Sequence, residues 1–258
     1  MLFSYSKGVM ATVGYKEQLF SKELYRIFQK GLIKLIFVTG DTHGSLDIRK
    51  LTSRFFPEQR YLSKNDYVII LGDFGMVWNN SEEDLYWRRW LNERRFTTLF
   101  IDGNHENFDL LEQYETVEWQ GGKVRYICDS IIHLQRGQIY QLEGKSLFTM
   151  GGGTSIDKRF RKPGKTWWPQ EKPIQEEYDE AKRNLNKVGW SVDYVLTHTA
   201  SNNLMEIMCY GKEDEELNRF FDMIEEKLNF KHWYFGHFHV DEDITERHTT
   251  VYQKVIQI

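Results

Sequence analysis

The chain has 258 residues, 40% of them hydrophobic and 15% aromatic, enough to bury one large core and at odds with disorder. A formal net charge of −4 argues against a protein whose main task is gripping nucleic-acid backbone, since such proteins are more often basic overall. No run approaches the roughly 18 apolar residues of a membrane span, and the opening MLFSYSKGVMATVGYKEQLF lacks a signal peptide's apolar stretch, so a cytoplasmic protein with no membrane partner is expected.

Residues 1–31 are polar and weakly patterned and read as an N-terminal arm, with a short helix over 22–31 closed by Gly31. LIKLIFV (32–38) then reads as a buried strand, and SLDIRKLTSRF (45–55) has helical spacing with Ser45 as N-cap. DYVIILGD (66–73) is a second aliphatic strand, SEEDLYWRRWLNE (81–93) a helix with acidic residues in its first turn, and FTTLFIDGN (96–104) a third strand. This alternation predicts parallel strands with crossover helices.

The segment 121–153 changes to short alternating runs broken by glycine, which predicts antiparallel strands. A helix is expected near 174–187, a strand at VDYVLTHT (192–199), an amphipathic helix at 213–229, and a strand and turn at HWYFGHFHV (232–240). The tail TTVYQKVIQI reads as a final strand. Cys128 and Cys209 have no disulfide-framework or metal-ligand spacing and read as two buried thiols in a reducing compartment.

The strand ends carry the chemistry. Successive apolar runs stop at Asp41 and His43, at Gly72-Asp73, at Gly103-Asn104-His105-Glu106, at His198, and at Gly236-His237-Phe238-His239. In an open α/β sheet, ligands bind beyond the carboxyl ends of the strands, so these groups can converge although some 200 residues separate the first from the last. Side chains alternate on an extended chain, so Asp41 and His43 are expected to face one side.

Imidazole, carboxylate and one amide oxygen suit Mn²⁺, Fe²⁺ or Zn²⁺. Asp41, His43, Asp73, Asn104, His198, His237 and His239 are too many for one tetrahedral ion. With one shared carboxylate they serve two, and two ions about 3.5–4 Å apart clamp a phosphoryl centre and generate hydroxide at neutral pH. Any one block reads equally well as turn chemistry; their order and strand context make the case. His133, His232 and His248 fall outside the pattern and read as structural or solvated.

Asp-x-His, Gly-Asp, Gly-Asn-His-Glu, a lone His and Gly-His-x-His, in that order, resemble the calcineurin-like metallophosphoesterases over roughly residues 32–240. The resemblance implies an α/β fold, a four-layer α-β-β-α sandwich with two mixed central sheets, filling 32–258. It implies a dinuclear centre with a bridging hydroxide, loaded with Mn²⁺ ahead of Fe²⁺, Zn²⁺ or Ni²⁺. Asp41, His43, Asp73 and His239 would hold one ion. Asp73, Asn104, His198 and His237 would hold the other, with Asp73 bridging. His105 matches the non-ligand histidine that contacts phosphate and protonates the leaving group, and Glu106 completes its motif outside the ligand set.

The chain departs from the protein Ser/Thr phosphatase branch. There the second block continues Gly-Asp-x-Val-Asp-Arg-Gly, and here it reads GDFGMVW (72–78). Met76 stands where that branch has the Asp that orients the catalytic histidine, and Val77 where it has the phosphate-binding Arg. Gly-His-x-His is closer to the phosphodiesterase and nuclease branches.

The basic loop GGGTSIDKRFRKPGKTWWPQEKP (151–173) interrupts the alternation. It is expected to cross the crevice, with Lys158, Arg159 and Arg161 binding phosphate and Trp167 stacking on a ring. A solvated loop anchored by packed tryptophans is the alternative. The expected activity is metal-dependent phosphoester hydrolysis, as phosphatase or phosphodiesterase, on a small molecule or nucleotide. The alternatives are a nuclease acting on DNA or RNA, or a non-catalytic scaffold of the same fold.

Overall fold

The computed structural model describes residues 34–211 and 215–258, and its compact unit runs Leu35–Ile258. The arm at 1–31, with its expected helix, lies outside the described residues. The described strands form two mixed sheets. The first has seven, in the order β13 (Val255–Gln257), β1 (Ile36–Thr39), β2 (Tyr67–Leu71), β3 (Thr97–Ile101), β6 (Ile131–Leu134), β5 (Gly122–Cys128) and β4 (Thr116–Trp119). The second has six: β11 (Glu242–Thr245), β12 (His248–Thr250), β10 (His232–Phe235), β9 (Tyr194–Thr197), β8 (Lys145–Met150) and β7 (Gln138–Leu142). The described helices are α1 (Glu82–Asn92), α2 (Phe108–Leu111), α3 (Gln175–Lys187), α4 (Asn202–Ile207) and α5 (Glu216–Lys227).

The period of two in each strand sorts its side chains into layers. Ile36 and Val38 of β1 join Ile69, Leu99, Ile101, Leu147 and Leu196 in a core shared by both sheets. Phe37, between them in sequence, meets Phe56 edge-on at 5.0 Å. The outer face of the second sheet, including Val195, Trp233 and Phe235, is covered by Ala181, Leu185, Phe221 and Ile224 of α3 and α5. Helix α1 packs near β3 and β6, so the layers run helix, sheet, sheet, helix. Ser81 caps α1 by accepting from Asp84 N at 3.3 Å, a role serine favours.

Several expectations change. Residues 45–55 do not form an α-helix; only a 3₁₀ turn at Ile48–Leu51 is present. Asp47 rather than Ser45 stands at its N-cap and makes no capping bond, because its carboxylate is taken by His43 Nδ1 and by the Tyr252 hydroxyl. The segment 121–153 divides between the sheets: β5 and β6 are antiparallel, as are β7 and β8, but β6 runs parallel to β3 and β8 parallel to β9.

The tail is not one strand but two. β12 joins the second sheet beside β10, and β13 closes the first beside β1, so the last residues belong to both sheets. Neither thiol is fully buried: Cys128 is half-buried and Cys209 exposed. No helix of the described residues is long and apolar enough to cross a membrane.

Candidate metal centre

The strand-end loops come from both sheets. Asp41 follows β1, Asp73 follows β2 and Asn104-His105-Glu106 follows β3, all from the first sheet. His198 follows β9, and His237 and His239 follow β10, from the second. Parallel strands in each sheet end together, so the two sets of loops meet at one edge of the sandwich.

Asp41 and His43 share a site for a different reason from the one alternation suggests. His43 has φ of 43°, so the chain is turned rather than extended there. Asp73, His237 and His239 are also left-handed, at φ 48°, 71° and 54°. Such conformations cost on the order of 1–3 kcal/mol each in a non-glycine residue and persist where the surroundings over-determine them. Two glycines act by absence: a Cβ on Gly72 would overlap the His198 ring, and one on Gly103 would overlap the Asp73 carboxylate.

The donor atoms divide into neighbouring groups. In the first, His239 Nε2 lies 3.1 Å from Asp41 Oδ2, and Asp41, His43 and His239 together could hold a cation. His43 Nε2 is also 3.2 Å from Asp73 Oδ2. In the second, Asp41, Asp73 and His198 form another such group. His198 Nε2 lies 3.0 Å from Asn104 Oδ1, 3.2 Å from His237 Nδ1 and 3.5 Å from Asp73 Oδ1.

Hydrogen-bond logic tests whether these groups fit metal. His198 Nδ1 donates to the Leu71 carbonyl at 2.8 Å, which leaves Nε2 of the neutral ring as a bare lone pair. Asn104 is oriented from behind. Glu171, fully buried, takes the Ser155 hydroxyl proton, and Ser155 Oγ then accepts from Asn104 Nδ2 at 3.1 Å. That turns Asn104 Oδ1, also an acceptor, toward His198 Nε2. Asp41 Oδ2 is buried, with His239 Nε2 3.1 Å away but outside good hydrogen-bond geometry. Acceptors facing acceptors in a buried site call for a cation between them, and nitrogen with carboxylate and amide oxygen suits a divalent one.

The neighbouring charges act on the same groups. Burial pushes the Asp41 carboxyl up, but the His198 and His239 imidazoles outweigh it and hold it below the usual range. Asp73 is also held well below the usual range: its burial is outweighed by His198, His43 and His105. Burial pulls His43 down, but Asp73, Asp41 and Asp47 carry it up to about 9. Glu106 is pushed up to about 8, by burial and then by Asp73. Its carboxylate accepts from Phe74 N at 2.7 Å and ties the β2 and β3 loops together.

His105 stands beside this cluster. Its N–H donates to Asp73 Oδ1 at 2.7 Å, and its ring faces Arg161, with Nη1 and Nη2 at 2.8 and 3.1 Å from its two nitrogens. A guanidinium only donates and a neutral imidazole has one acceptor nitrogen, so one of these contacts is a hydrogen bond. Burial, and then the charge of Arg161, pull the His105 pKa below its ordinary value. Asp157 holds Arg161 through Nε at 2.8 Å.

The other residues expected to bind substrate are placed differently. Lys158 and Arg159 are exposed on a 3₁₀ turn, with the Arg159 guanidinium over Phe160. Trp167 is half-buried, and Lys158, Arg159 and Trp167, like Arg161 itself, do not line the cleft beside the cluster. That cleft, of about 480 Å³, is bounded by Asp73, Asn104 and His105 on one side and by Met205, Tyr210 and Phe238 on the other.

Several supporting residues escape sequence reading. Lys50 is buried and donates from Nζ to the carbonyls of Gly40, Asp41 and Tyr252. Tyr252 stacks on His239 at 4.6 Å. Asp47, Ser155 and Glu171 orient His43 and Asn104. Only the four-residue offset between His43 and Asp47 is visible as a pattern in the chain. His133, by contrast, belongs to a separate buried pair with Asp102, 3.2 Å from its Nε2.

No curated protein matches the chain. The family model of the calcineurin-like phosphoesterases matches residues 34–241, a span that holds every strand-end block and the basic loop. With two mixed sheets between helical layers and paired Asp/His groups able to hold metal at their shared edge, the chain belongs to the calcineurin-like phosphoesterase family.

Proposed function

We propose that the protein is a metal-dependent phosphoester hydrolase with a dinuclear centre, in which Asp41, His43, Asp73 and His239 hold one divalent ion and Asp73, Asn104, His198 and His237 the other. The observation that carries this is the buried meeting of acceptors at His198 Nε2, Asn104 Oδ1 and Asp73 Oδ1. Asp73 is the carboxylate best suited to sharing. Its Oδ2 faces His43 and its Oδ1 faces His198, whereas the His198 nitrogen nearest Asp41 already donates to Leu71. Bound divalent ions, Mn²⁺ for preference, supply charge neutralisation on the phosphate oxygens and an activated water.

The protein's own groups do the rest. Arg161 offers two N–H donors to a phosphate and fills the role that Val77 cannot. Val77 and Met76 are buried core residues. His105, held by Asp73 and bracketed by Arg161, is placed to hand a proton to the departing oxygen. The cleft between His105 and Phe238 holds the ester substituent. Phosphoprotein hydrolysis is disfavoured, because the branch-specific Asp and Arg are absent.

The test is turnover of p-nitrophenyl phosphate, bis-p-nitrophenyl phosphate and single-stranded DNA by protein incubated with Mn²⁺. Hydrolysis of a small ester that chelation abolishes supports the proposal. Cleavage of DNA alone would favour the nuclease reading. Bound metal with no turnover of any of the three would favour a scaffold.

A further inference from the structure

Two clefts meet at His105. One is the 480 Å³ cleft already described. The other, of about 250 Å³, opens past His43 and His105 and is walled by Ser45, Met76, Trp78 and Trp87. The two share only His105 among their lining residues, so a phosphorus atom seated at the centre has a cavity available for each of two substituents.

The second cleft has a braced aromatic wall. Trp78 meets Trp168 edge-on at 5.3 Å, and Trp168 is anchored through Nε1 to Asp109 at 2.8 Å. Trp87, on α1, packs edge-on against Trp90 at 5.6 Å. No Lys or Arg lines this cleft, and Glu83 does. Asp84, which also lines it, has its Oδ2 engaged by the N–H groups of Trp78, Asn79 and Asn80. A second phosphate would be repelled there by Glu83, whereas a flat neutral ring with N–H donors can stack on tryptophan and give its protons to the carboxylate.

The geometry points to a phosphodiester substrate whose two ester arms occupy the two clefts, with a nucleoside-like or aryl ring in the Trp78–Trp87 cleft. This inference rests on the phosphoester-hydrolase reading, and it sets diesters above monoesters and above polyphosphate chains.

The test compares bis-p-nitrophenyl phosphate with methyl p-nitrophenyl phosphate on Mn²⁺-loaded protein. The leaving group is the same, and only the second arm differs. In Trp87→Ala the ratio of kcat/KM for the first over the second should fall about fivefold, the low end of what stacking a ring on an aromatic side chain contributes. Truncating Trp87 can loosen α1, so Ser45→Trp, which obstructs the cleft from another element, should lower the same ratio. An unchanged ratio in both variants would overturn the inference.

Calorimetric titration with AMP and with inorganic phosphate reads the subsite without turnover. The tighter binding of AMP should shrink about fivefold in both variants. Loss of that advantage in a protein that hydrolyses neither ester would uphold the ring subsite while removing the hydrolytic reading. Equal binding of AMP and phosphate by the unsubstituted protein would remove the subsite itself.

Discussion

Arg161 lies against His105, its Nη1 2.8 Å from the ring's Nδ1, although the two are 56 residues apart and the loop carrying Arg161 has no strand or α-helix of its own. The contact gives one basic residue of that loop a distinct position. Arg161→Ala should raise KM for a phosphoester at least tenfold, in line with about 1.5–3 kcal/mol for a hydrogen bond to a charged group. Arg159→Ala, whose side chain rests on Phe160, should change KM less than twofold. Steady-state kinetics on both variants decide it, and equal effects would mean that the loop acts through its net charge alone.

His105 should separate chemistry from metal binding. His105→Ala is expected to lower kcat by about 10²–10⁴, the range for a general acid. Metal analysis should still find close to two ions per chain, because the ring is not in either donor group. A loss of metal in this variant would make His105 a ligand and displace it from the proton-transfer role.

Asp73→Asn removes the carboxylate proposed to serve both ions. Activity should disappear, and so should metal-induced stabilisation. Saturating Mn²⁺ at a hundred times its dissociation constant adds about 2.7 kcal/mol to a protein that binds it only when folded. A thermal melt of the unsubstituted protein should therefore shift upward with Mn²⁺ while the variant's stays in place.

Lys50 holds the Asp41 loop to the tail. Its Nζ donates to Asp41 O and to Tyr252 O, each at 2.6 Å, and burial pulls its pKa down to about 8. Lys50→Met leaves its carbonyl acceptors without a donor and should cost on the order of 3 kcal/mol. Urea unfolding of metal-free protein measures this directly.

His248 should make stability fall with acid. It packs edge-on to Phe230 at 5.5 Å, and its Nε2 is buried without a partner. Burial, and then Arg247 and His232, pull its pKa from 6.5 to about 4. The unfolded chain therefore takes up a proton before the folded one does. The contribution is complete above pH 6.5 and is lost as the pH falls toward 4. The urea midpoint of His248→Gln should fall less over that window than that of the unsubstituted protein. Parallel profiles would show that the imidazole titrates alike in both states.

Much of the centre is legible in the chain because its chemistry sits where strand patterning stops. An aliphatic run that ends in Asp, Asn or His announces both a strand and a polar terminus, and five such endings in order left few other readings. The helical reading of 45–55, with Ser45 as cap, failed: only Ile48–Leu51 turns, as a 3₁₀ helix, and the Asp47 at its start is held by His43 and Tyr252. The tail misled because its apolar residues have one spacing but serve two sheets, and β12 and β13 find different partners.

Residue type and strand order by themselves thus pointed to an α/β fold and to candidate metal donors at the strand ends, since these follow from local periodicity and from the ligands each atom type accepts; the two-sheet sandwich was implied by the family resemblance. Only the tertiary structure decided that Ser155 and Glu171 turn the Asn104 oxygen inward, that Arg161 rather than its basic neighbours reaches His105, and that Trp78 and Trp87 wall a second cleft. These relations join residues tens of positions apart through loops without periodicity. They depend on how the loops pack over the sheet edges, which no local pattern encodes.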